Sequence, residues 1–381
     1  MDEILINTST SGDQGQPAVA SFRGTQFVVV WEDRGSGNIR GQMLGVNGAK
    51  TGSEFLVNFP GEPGTQRQLP AVVECGLGFA VAWHERVPGA QPQLKLRTFD
   101  QDTLSGPESQ VSTAEVEPSI RPAMARLPDG GFVIVWADKR QDERIRAQRF
   151  GFEGTKNGSE FRANTVAGLH RVPMVACLVN GNIVIGWRAR LPGPLLVHLQ
   201  IFDANGPVGG EQTTGLDITE AAMAALDSGR FVIAHVRSAL DGEPGFETTI
   251  AQASVFEASG AFSNIRFPAT AEPRIQSSWP TLAPLAGGRF LLAWTELNVD
   301  NVAAGINVKG RIFSPAQGPI GQVTRFNTST GNQRFSLSGA TTSSPEGEIA
   351  FAAWTDDSQS GGDPSGRAVR GRPLSVPASG F

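Results

Sequence analysis

Tyrosine is absent from this chain of 381 residues, and cysteine occurs only at Cys75 and Cys177. The repeats described below place the two cysteines two units apart, too far for the ~4.4 to 6.8 Å between Cα atoms that a disulfide requires. We therefore expect two buried free thiols, which leave the redox compartment open. Because phenylalanine occurs 22 times and tyrosine never, the aromatic side chains are almost all apolar.

Long apolar runs and blocks of like charge are also missing. The longest apolar runs have four to six residues, as in "FVVVW", whereas a membrane-spanning helix needs about 20. The net charge of -5 comes from 37 acidic and 32 basic residues, without the concentrated basic face that nucleic acid requires. The N-terminus "MDEILINTST" lacks the basic start and apolar core of a secretory signal. We expect no nucleic-acid partner, no direct membrane insertion and no signal peptide within this chain.

What the sequence does contain is an apolar pentapeptide that recurs seven times and ends six times in tryptophan. The copies are "FVVVW" at 27, "FAVAW" at 79, "FVIVW" at 132, "IVIGW" at 183, "FVIAH" at 231, "FLLAW" at 290 and "AFAAW" at 350. Their last residues follow one another at intervals of 48 to 60 residues, which is the period of four-stranded propeller blades. Large apolar residues repeated at one register predict packing between neighbouring sheets.

Each repeat predicts four strands, A to D. An apolar segment often opened by proline comes first, then a glycine turn such as "PDGG", the pentapeptide, a polar loop, an alternating segment such as "IRAQRF", and "EFLVN" or "EFRAN". The first residues, "EILINTSTSG", match the fourth-strand segment "VTRFNTSTGN" at 323–332, and the chain ends after a third-strand segment. We therefore predict an all-β fold, a seven-bladed β-propeller of four-stranded antiparallel blades. The N-terminal strand completes the last blade, and residues 1–381 form one domain.

The loops entering strand A and joining strands B and C lie on one face, here called the mouth, where binding to a rigid scaffold usually occurs. The predicted ligand- or partner-binding residues of this face are Trp279, Asp33, Arg34, Glu85, Arg121, Asp138, Lys139, Arg171, Arg190, Glu296, Arg334 and Asp356. The structural alternative is that these acids and arginines pair between adjacent blades.

Three breaks in the repeat stand out on this face. Blade four replaces the acid with "RAR" (Arg188 and Arg190), and blade five replaces tryptophan with His235. Blade six carries Trp279 at the entry to strand A, where blade five has Glu220. Trp279 could stack on a sugar or anchor a partner, or it could fold over a wider groove between blades.

No established catalytic or metal-binding motif is present, and the four histidines are scattered. In "DDSQSGGDPSG", Asp357 and Asp363 are weak metal candidates, but the segment lacks the bidentate glutamate of a calcium loop and is typical of a solvated connection. We predict no metal and no cofactor. Mouth carboxylates such as Glu85 and Asp138 could cleave a glycoside, although the basic neighbour of each favours the ionised form.

The repeat resembles that of bacterial secreted or cell-surface β-propeller proteins, which reads W-x-D-x-R, I-x-x-Q-R-F, D-x-x-G, then G-x-E-F-x-V-N. Here it stands as "FVIVWADKRQDERIRAQRFGFEGTKNGSEFRAN". The resemblance covers the whole chain, with less regular repeats in blades four to seven. It implies an extracytoplasmic location, which is secreted, periplasmic or on the cell surface, and it carries no functional residues.

These observations favour a non-catalytic binding or scaffolding propeller of a bacterial envelope or secreted assembly. In this interpretation the protein is not an enzyme and engages a protein partner through the mouth. A carbohydrate-binding lectin with a site near Trp279 is the alternative, which makes a glycan a possible partner. A glycan-active hydrolase or lyase that uses mouth carboxylates is the second alternative.

Overall fold

The computed structural model describes residues 2–100, 106–139, 144–190, 195–239, 248–269, 275–328, 334–344, 347–359 and 362–376. These residues form 28 β-strands and two short 3-10 helices, Ala286–Gly288 and Val302–Ala304. Within the described ranges, no helix has the length and apolar character needed to cross a membrane. The prediction of an all-β fold built from four-stranded antiparallel sheets is confirmed.

The strands group into four-stranded antiparallel units, numbered here 1 to 7 in chain order. Units 1 and 2 contain β2 (Gln14–Phe22), β3 (Gln26–Asp33), β4 (Asn38–Gly45), β5 (Lys50–Leu56), β6 (Gln66–Cys75), β7 (Gly78–Arg86), β8 (Gln93–Phe99) and β9 (Ser109–Gln110). Units 3 and 4 contain β10 (Ala123–Arg126), β11 (Phe132–Ala137), β12 (Ile145–Phe150), β13 (Lys156–Arg162), β14 (Leu169–Cys177), β15 (Ile183–Arg190), β16 (Leu195–Phe202) and β17 (Pro207–Asp217).

Units 5 to 7 continue the same order. Units 5 and 6 contain β18 (Ala221–Ala225), β19 (Phe231–Ala239), β20 (Thr248–Phe256), β21 (Phe262–Pro268), β22 (Ile275–Pro284), β23 (Phe290–Asn298), β24 (Asn307–Ser314) and β25 (Gly318–Arg325). Unit 7 contains β26 (Arg334–Ser344), β27 (Gly347–Asp356), β28 (Ala368–Ser375) and the N-terminal β1 (Ile4–Leu5), which pairs with β28. One parallel pair, Thr249 with Gln276, joins units 5 and 6 into a single eight-stranded sheet.

The pentapeptide forms the second strand of each unit. Its residues are almost all apolar because neighbouring sheets cover both faces of this strand. All residues of β11, for example, are buried. The six repeated tryptophans are at most 1% exposed. Seven apolar clusters each join two consecutive units, and one of them joins unit 7 to unit 1, where the rings of Phe27 and Phe351 lie 5.1 Å apart. The first strand of each unit packs beside the first strands of both neighbouring units.

The polar residues of the repeat fasten the fourth strand. The asparagine that ends "EFLVN" accepts the N–H of a third-strand residue, as Asn58 does from Ile39 at 2.7 Å and Asn7 does from Val369 at 2.8 Å. The glutamate of the same motif accepts backbone N–H groups from the preceding unit. The glutamate pairs are Glu54 with Thr8, Glu160 with Thr113, Glu211 with Thr165 and Glu3 with Thr328. Thus the motif closes one unit and holds it to its neighbour.

Both cysteines are free. Cys75 is buried, and burial raises the pKa of its thiol to about 12. Cys177 is only partly buried, so the prediction of two free thiols is confirmed while full burial holds for one.

Candidate functional site

The first strands of the units surround a central pocket of about 580 Å³, which lies among strands β2, β6, β10, β14, β18, β22 and β26. Most of the residues that line it are apolar, among them several alanines, Met174 and Met223. The charged residues that line it are Arg121, Arg171, Arg188 and Glu220. Three arginines against one glutamate give the pocket a positive lining, although the whole chain has a net charge of -5. Such a cleft raises the local concentration of anionic ligands.

A β-bulge shapes the rim of this pocket. In five units the ladder between the first and second strands skips two residues. The first skipped residue has a positive φ near 54° in each case: Gln16, Leu69, Val172, Trp279 and Ser336. Left-handed backbone at non-glycine residues is costly and persists where the surrounding structure holds it. Of these five residues, Trp279 is the aromatic one.

Trp279 is 39% exposed at the pocket rim, whereas the six repeated tryptophans are buried. Its backbone N–H donates a hydrogen bond to the Glu220 carboxylate of unit 5. The same arrangement occurs in units 1 and 2, where the N–H of Leu69 donates to Glu32 at 2.7 Å. The carboxylate of one unit therefore holds the bulge of the next.

Glu220 differs from Glu32 in that it lines the pocket. Burial raises the pKa of Glu220, while the N–H of Trp279 and the nearby Arg188 act in the opposite direction. The guanidinium of Arg188 donates to the carbonyl of Thr219 at 2.7 Å. Burial lowers the pKa of Arg188, and the proximity of Arg171 lowers it further. A carboxyl group with a raised pKa can exchange protons, and the arginines of the same pocket can bind anions.

Arg121 has a different role in the same pocket. Its guanidinium donates to the carbonyls of Gln16 (3.0 Å), Pro17 (2.8 Å) and Pro70 (3.0 Å) and to the side-chain oxygen of Gln16 (2.9 Å). Burial lowers its pKa to about 10. Arg121 therefore ties the first strands of units 1 and 2 to unit 3 across one side of the pocket.

Of the predicted mouth residues, Trp279, Arg121 and Arg171 line this pocket, and the others whose side chains the structure describes do not. Most of the others belong to ion pairs. These pairs are Arg34 with Glu32 (2.9 Å), Asp33 with Arg40 (2.6 Å), Glu85 with Arg67 (2.9 Å), Asp138 with Arg146 (3.3 Å), Lys139 with Glu115 (2.9 Å), Glu296 with Lys309, and Asp356 with Arg370 (3.9 Å). Arg190 and Arg334 lie at strand ends, where Arg334 pairs with Asp356 through the backbone, and their side chains fall outside the described residues.

At three of the predicted acids the ion pairs lie within one unit, whereas the structural alternative predicted pairs between adjacent units. Asp33, Asp138 and Glu85 pair with bases of their own unit. For Glu85 the base is Arg67, directly opposite on the first strand. For Asp33 and Asp138 the third strand places Arg40 opposite Trp31, and Arg146 opposite Trp136, two residues before each acid. The same arginines also contact Glu54 (3.0 Å) and Glu160 (3.5 Å) of the fourth strand. In each of these two sheets, an acid–base–acid row thus runs across the second, third and fourth strands.

The metal candidates do not form a cluster. Asp363 is buried and accepts a hydrogen bond from the amide of Asn7 at 2.8 Å. Asp357 is partly buried. Among the residues that the structure describes, no group of three or more histidine, cysteine, aspartate or glutamate side chains is arranged to hold a metal ion.

The histidines serve the scaffold. The His84 ring contacts the carbonyl of Ile120 at 2.8 Å, and burial lowers its pKa to about 4. His235 takes the place of the fifth repeated tryptophan, contacts Ser254 at 3.1 Å, and also has a pKa lowered to about 4, mainly by burial. His198 contacts Glu211 at 3.0 Å within unit 4.

Sequence reasoning left Arg188 and Glu220 out of the predicted site. The signal for Arg188 was the loss of the acid in "RAR", and the signal for Glu220 was an acid at the entry to a first strand. Neither signal places the two side chains together, because they belong to neighbouring units.

No family model and no curated protein sequence matches this chain. Solved structures match at low sequence identity. An ulvan lyase, described as a new family of polysaccharide lyase, has a TM-score of 0.59, 10% identity, and coverage of 96% of this chain and 95% of its own. The endosialidase of phage phi92 has a TM-score of 0.53, 9% identity, and coverage of 100% and 70%. The lectin of Aleuria aurantia has a TM-score of 0.51, 13% identity, and coverage of 83% and 98%.

At these identities the comparisons establish a shared all-β fold. They also correct two predictions. The structures that match include a polysaccharide lyase, an endosialidase and a lectin. This finding contradicts the prediction of a non-catalytic, protein-binding scaffold and the prediction that the protein is not an enzyme. The two glycan-directed alternatives fit the matched structures better.

Proposed function

We propose that residues 1–381 form a single seven-bladed β-propeller closed by the N-terminal strand. Seven apolar clusters between consecutive units support it, including the cluster between units 7 and 1. So does the carboxylate of Glu3, which accepts the N–H of Thr328 across the junction of units 6 and 7. From the resemblance of the repeat we also propose an extracytoplasmic location.

We propose that the protein is a glycan-processing enzyme whose active site is the central pocket. The observation that carries this proposal is the hydrogen bond between the Trp279 N–H and the Glu220 carboxylate in one pocket. An exposed indole, a half-buried carboxyl group and two arginines converge there. A small number of convergent polar groups in a concave pocket is typical of an active site.

Each residue has a defined role in this proposal. The exposed face of Trp279 packs against a sugar ring, which presents apolar C–H groups on its faces. Glu220 transfers protons, because a carboxyl group whose pKa is raised by burial is a stronger base than an exposed one. Arg171 and Arg188 bind polar or anionic groups of the glycan.

Five of the other predicted mouth residues have a supporting role. Asp33, Glu85, Asp138, Glu296 and Asp356 fix the ends of the second strands through ion pairs. These pairs hold the rim on which the pocket residues are mounted.

The comparisons are consistent with this proposal. One matched ulvan lyase structure is bound to -[GlcA(1-4)Rha3S]-, and its TM-score to this chain is 0.58. The match covers 97% of this chain and 94% of the lyase.

The test is a turnover screen with neutral, uronate-containing, sialic-acid-containing and sulfated polysaccharides, in which new chain ends are measured. For a glycan that is cleaved, Glu220→Gln should lower kcat about 100-fold or more. Glutamine still accepts the N–H of Trp279, so the variant should fold normally and still bind the glycan.

Glu32→Gln is the matched control. Glu32 accepts a bulge N–H just as Glu220 does, but it does not line the pocket, so this variant should retain activity. Binding without cleavage would contradict the proposed enzyme activity and indicate a lectin. Cleavage that survives Glu220→Gln would place the chemistry elsewhere.

A further inference from the structure

This inference rests on the proposed function and concerns the substrate class. Arg171 and Arg188 lie directly opposite each other on neighbouring strands β14 and β15. Directly opposed residues of an antiparallel pair project to the same face of the sheet, and like charges at such positions are destabilising. Here the shared face is the central pocket, because both residues line it.

The arginine pair is a departure from the repeat. The same register next to the bulge holds other pairs in four units: Gly15 with Glu32, Gln68 with His84, Ser278 with Thr295, and Phe335 with Thr355. None of these pairs combines two cations. The scaffold therefore does not require an arginine pair at this position.

Both arginines are held in place by neighbouring groups. Arg188 donates to the carbonyl of Thr219, a neutral acceptor, and lies near Glu220. Arg171 lies near Glu117, whose pKa it helps to lower. Arg121 adds a third cation to the same lining. An anion bound between Arg171 and Arg188 would relieve their repulsion and accept charge-assisted hydrogen bonds from both.

We propose that Arg171 and Arg188 together bind the carboxylate of a uronate residue, and that the pocket cleaves its polysaccharide by β-elimination. Hydrolysis by the usual two-carboxylate mechanism needs a second carboxyl group facing the first. Among the described residues that line the pocket, Glu220 is the only acid. Elimination needs one base and a group that stabilises negative charge on the substrate carboxylate, and the pocket supplies both.

The step is balanced without a co-reactant. The C5–H bond of the uronate breaks and its proton passes to Glu220. The electron pair of that bond forms the C4=C5 double bond as the C4–O bond breaks. Glu220 then gives the proton to the leaving oxygen, so the products are a new chain end and an unsaturated uronate. The arginines stabilise the charge that develops on the carboxylate when the proton leaves.

The experiment uses the full chain with ulvan, polygalacturonate and alginate as uronate polymers. Dextran sulfate is the probe for sulfate without carboxylate, and dextran is the neutral probe. Cleavage is followed by two readouts: new reducing ends, and the ultraviolet absorbance of the unsaturated uronate. The best uronate substrate is then tested again after chemical reduction of its carboxylates to alcohols.

We expect reducing ends and absorbance to rise together, and carboxyl reduction to abolish cleavage. Arg188→Gln and Arg171→Gln should each lower kcat/KM about 100-fold on the native polymer. Neither should lower kcat/KM further on any residual reaction of the reduced polymer. Arg126→Gln, which removes a positive charge paired with Glu74 outside the pocket, should leave both readouts unchanged.

The possible failures are distinct. Reducing ends without absorbance would mean hydrolysis, which overturns the inference and leaves the proposed function standing. Equal binding of dextran sulfate and the uronate polymer would assign the arginine pair to sulfate and also overturn it. Failure to bind or cleave any glycan in this set or in the wider turnover screen would overturn both proposals.

Discussion

The carboxylate of Glu220 accepts the backbone N–H of Trp279 from the neighbouring unit. This bond fixes the position of the exposed indole relative to the carboxyl group, and both line the central pocket. Because Trp279 has a φ of 53°, its backbone is held in a conformation that a tryptophan rarely adopts.

Removal of the indole should weaken glycan binding without unfolding the protein. We expect Trp279→Ala to raise the dissociation constant of a bound glycan at least tenfold, about 1.4 kcal/mol, and Trp279→Phe to retain part of the affinity because the ring can still stack. The measurement is isothermal titration calorimetry with the glycan found by turnover screening. Leu77→Ala is the control, since Leu77 is 76% exposed but does not line the pocket. Equal losses in the two alanine variants would contradict the assignment.

The raised pKa of Glu220 predicts how activity depends on pH. Glu220 must be ionised to accept a proton, so kcat/KM should fall as pH decreases through its folded pKa, which burial holds above the ordinary value of 4.5. Substitution of Arg188 by glutamine should raise that pKa further, because the nearby cation favours the ionised form. The acidic limb of the pH profile should then move to higher pH. A limb that moves to lower pH would show that another group controls it.

The same shift makes a prediction about stability. A carboxyl group whose folded pKa is raised stabilises the fold only at low pH, and this contribution is lost as pH rises from the unfolded value through the folded one. As pH rises through this window, the free energy of unfolding of Glu220→Gln should therefore increase relative to that of the native protein. Chemical denaturation at several pH values measures the difference. A constant difference across the window would mean that the pKa of Glu220 is not raised.

His84 predicts a loss of stability in acid. Its pKa is about 4 in the folded state, mainly because of burial, and 6.5 is the ordinary value. A lowered pKa means that the stabilisation is complete above about pH 6.5 and is lost as pH falls toward 4, by of the order of 3 kcal/mol. His84→Gln keeps a donor for the carbonyl of Ile120 but does not titrate, so its unfolding free energy should fall less over this range. Identical pH dependences would be evidence against this cause.

The asparagine of the N-terminal segment should contribute as much to the stability of the fold as the equivalent asparagine of an internal repeat. Asn7 accepts the N–H of Val369 at 2.8 Å, and Asn58 accepts the N–H of Ile39 at 2.7 Å in the equivalent place within unit 1. Each alanine substitution leaves a buried N–H without its acceptor and should cost about 1 to 3 kcal/mol. Thermal unfolding of both variants tests this. A negligible effect of Asn7→Ala beside a large effect of Asn58→Ala would contradict closure of unit 7 by the N-terminal strand.

The acid–base–acid rows can be tested at Arg146, which contacts Asp138 at 3.3 Å and Glu160 at 3.5 Å. Arg146→Met removes a cation that contacts the buried Asp138 carboxylate and the partly buried Glu160 carboxylate, and it should cost about 3 to 5 kcal/mol. Arg126→Met removes the partner of Glu74 at an exposed position and should cost less than about 1 kcal/mol. Comparable costs would mean that burial of the row does not matter.

The sequence alone determined the strands, the turns and the number of repeats. An alternation of apolar and polar residues with a period of two, glycine turns and the recurring tryptophan are local features, and each repeat states them again. The identity of "NTST" in the first residues and at 327–330 also indicated where β1 belongs.

Only the tertiary structure decided which side chains meet in the pocket. Glu220 and Trp279 are 59 residues apart, and their contact depends on how two units pack side by side. Asp33 and Asp138 looked like pocket residues in the sequence, but the register of the third strands turned them toward Arg40 and Arg146. The repeat pattern encodes pairing within one sheet, whereas the pocket depends on the burial and charge that several sheets create together. For that reason the raised pKa of Glu220 and the opposed arginines of unit 4 could be found only in the folded structure.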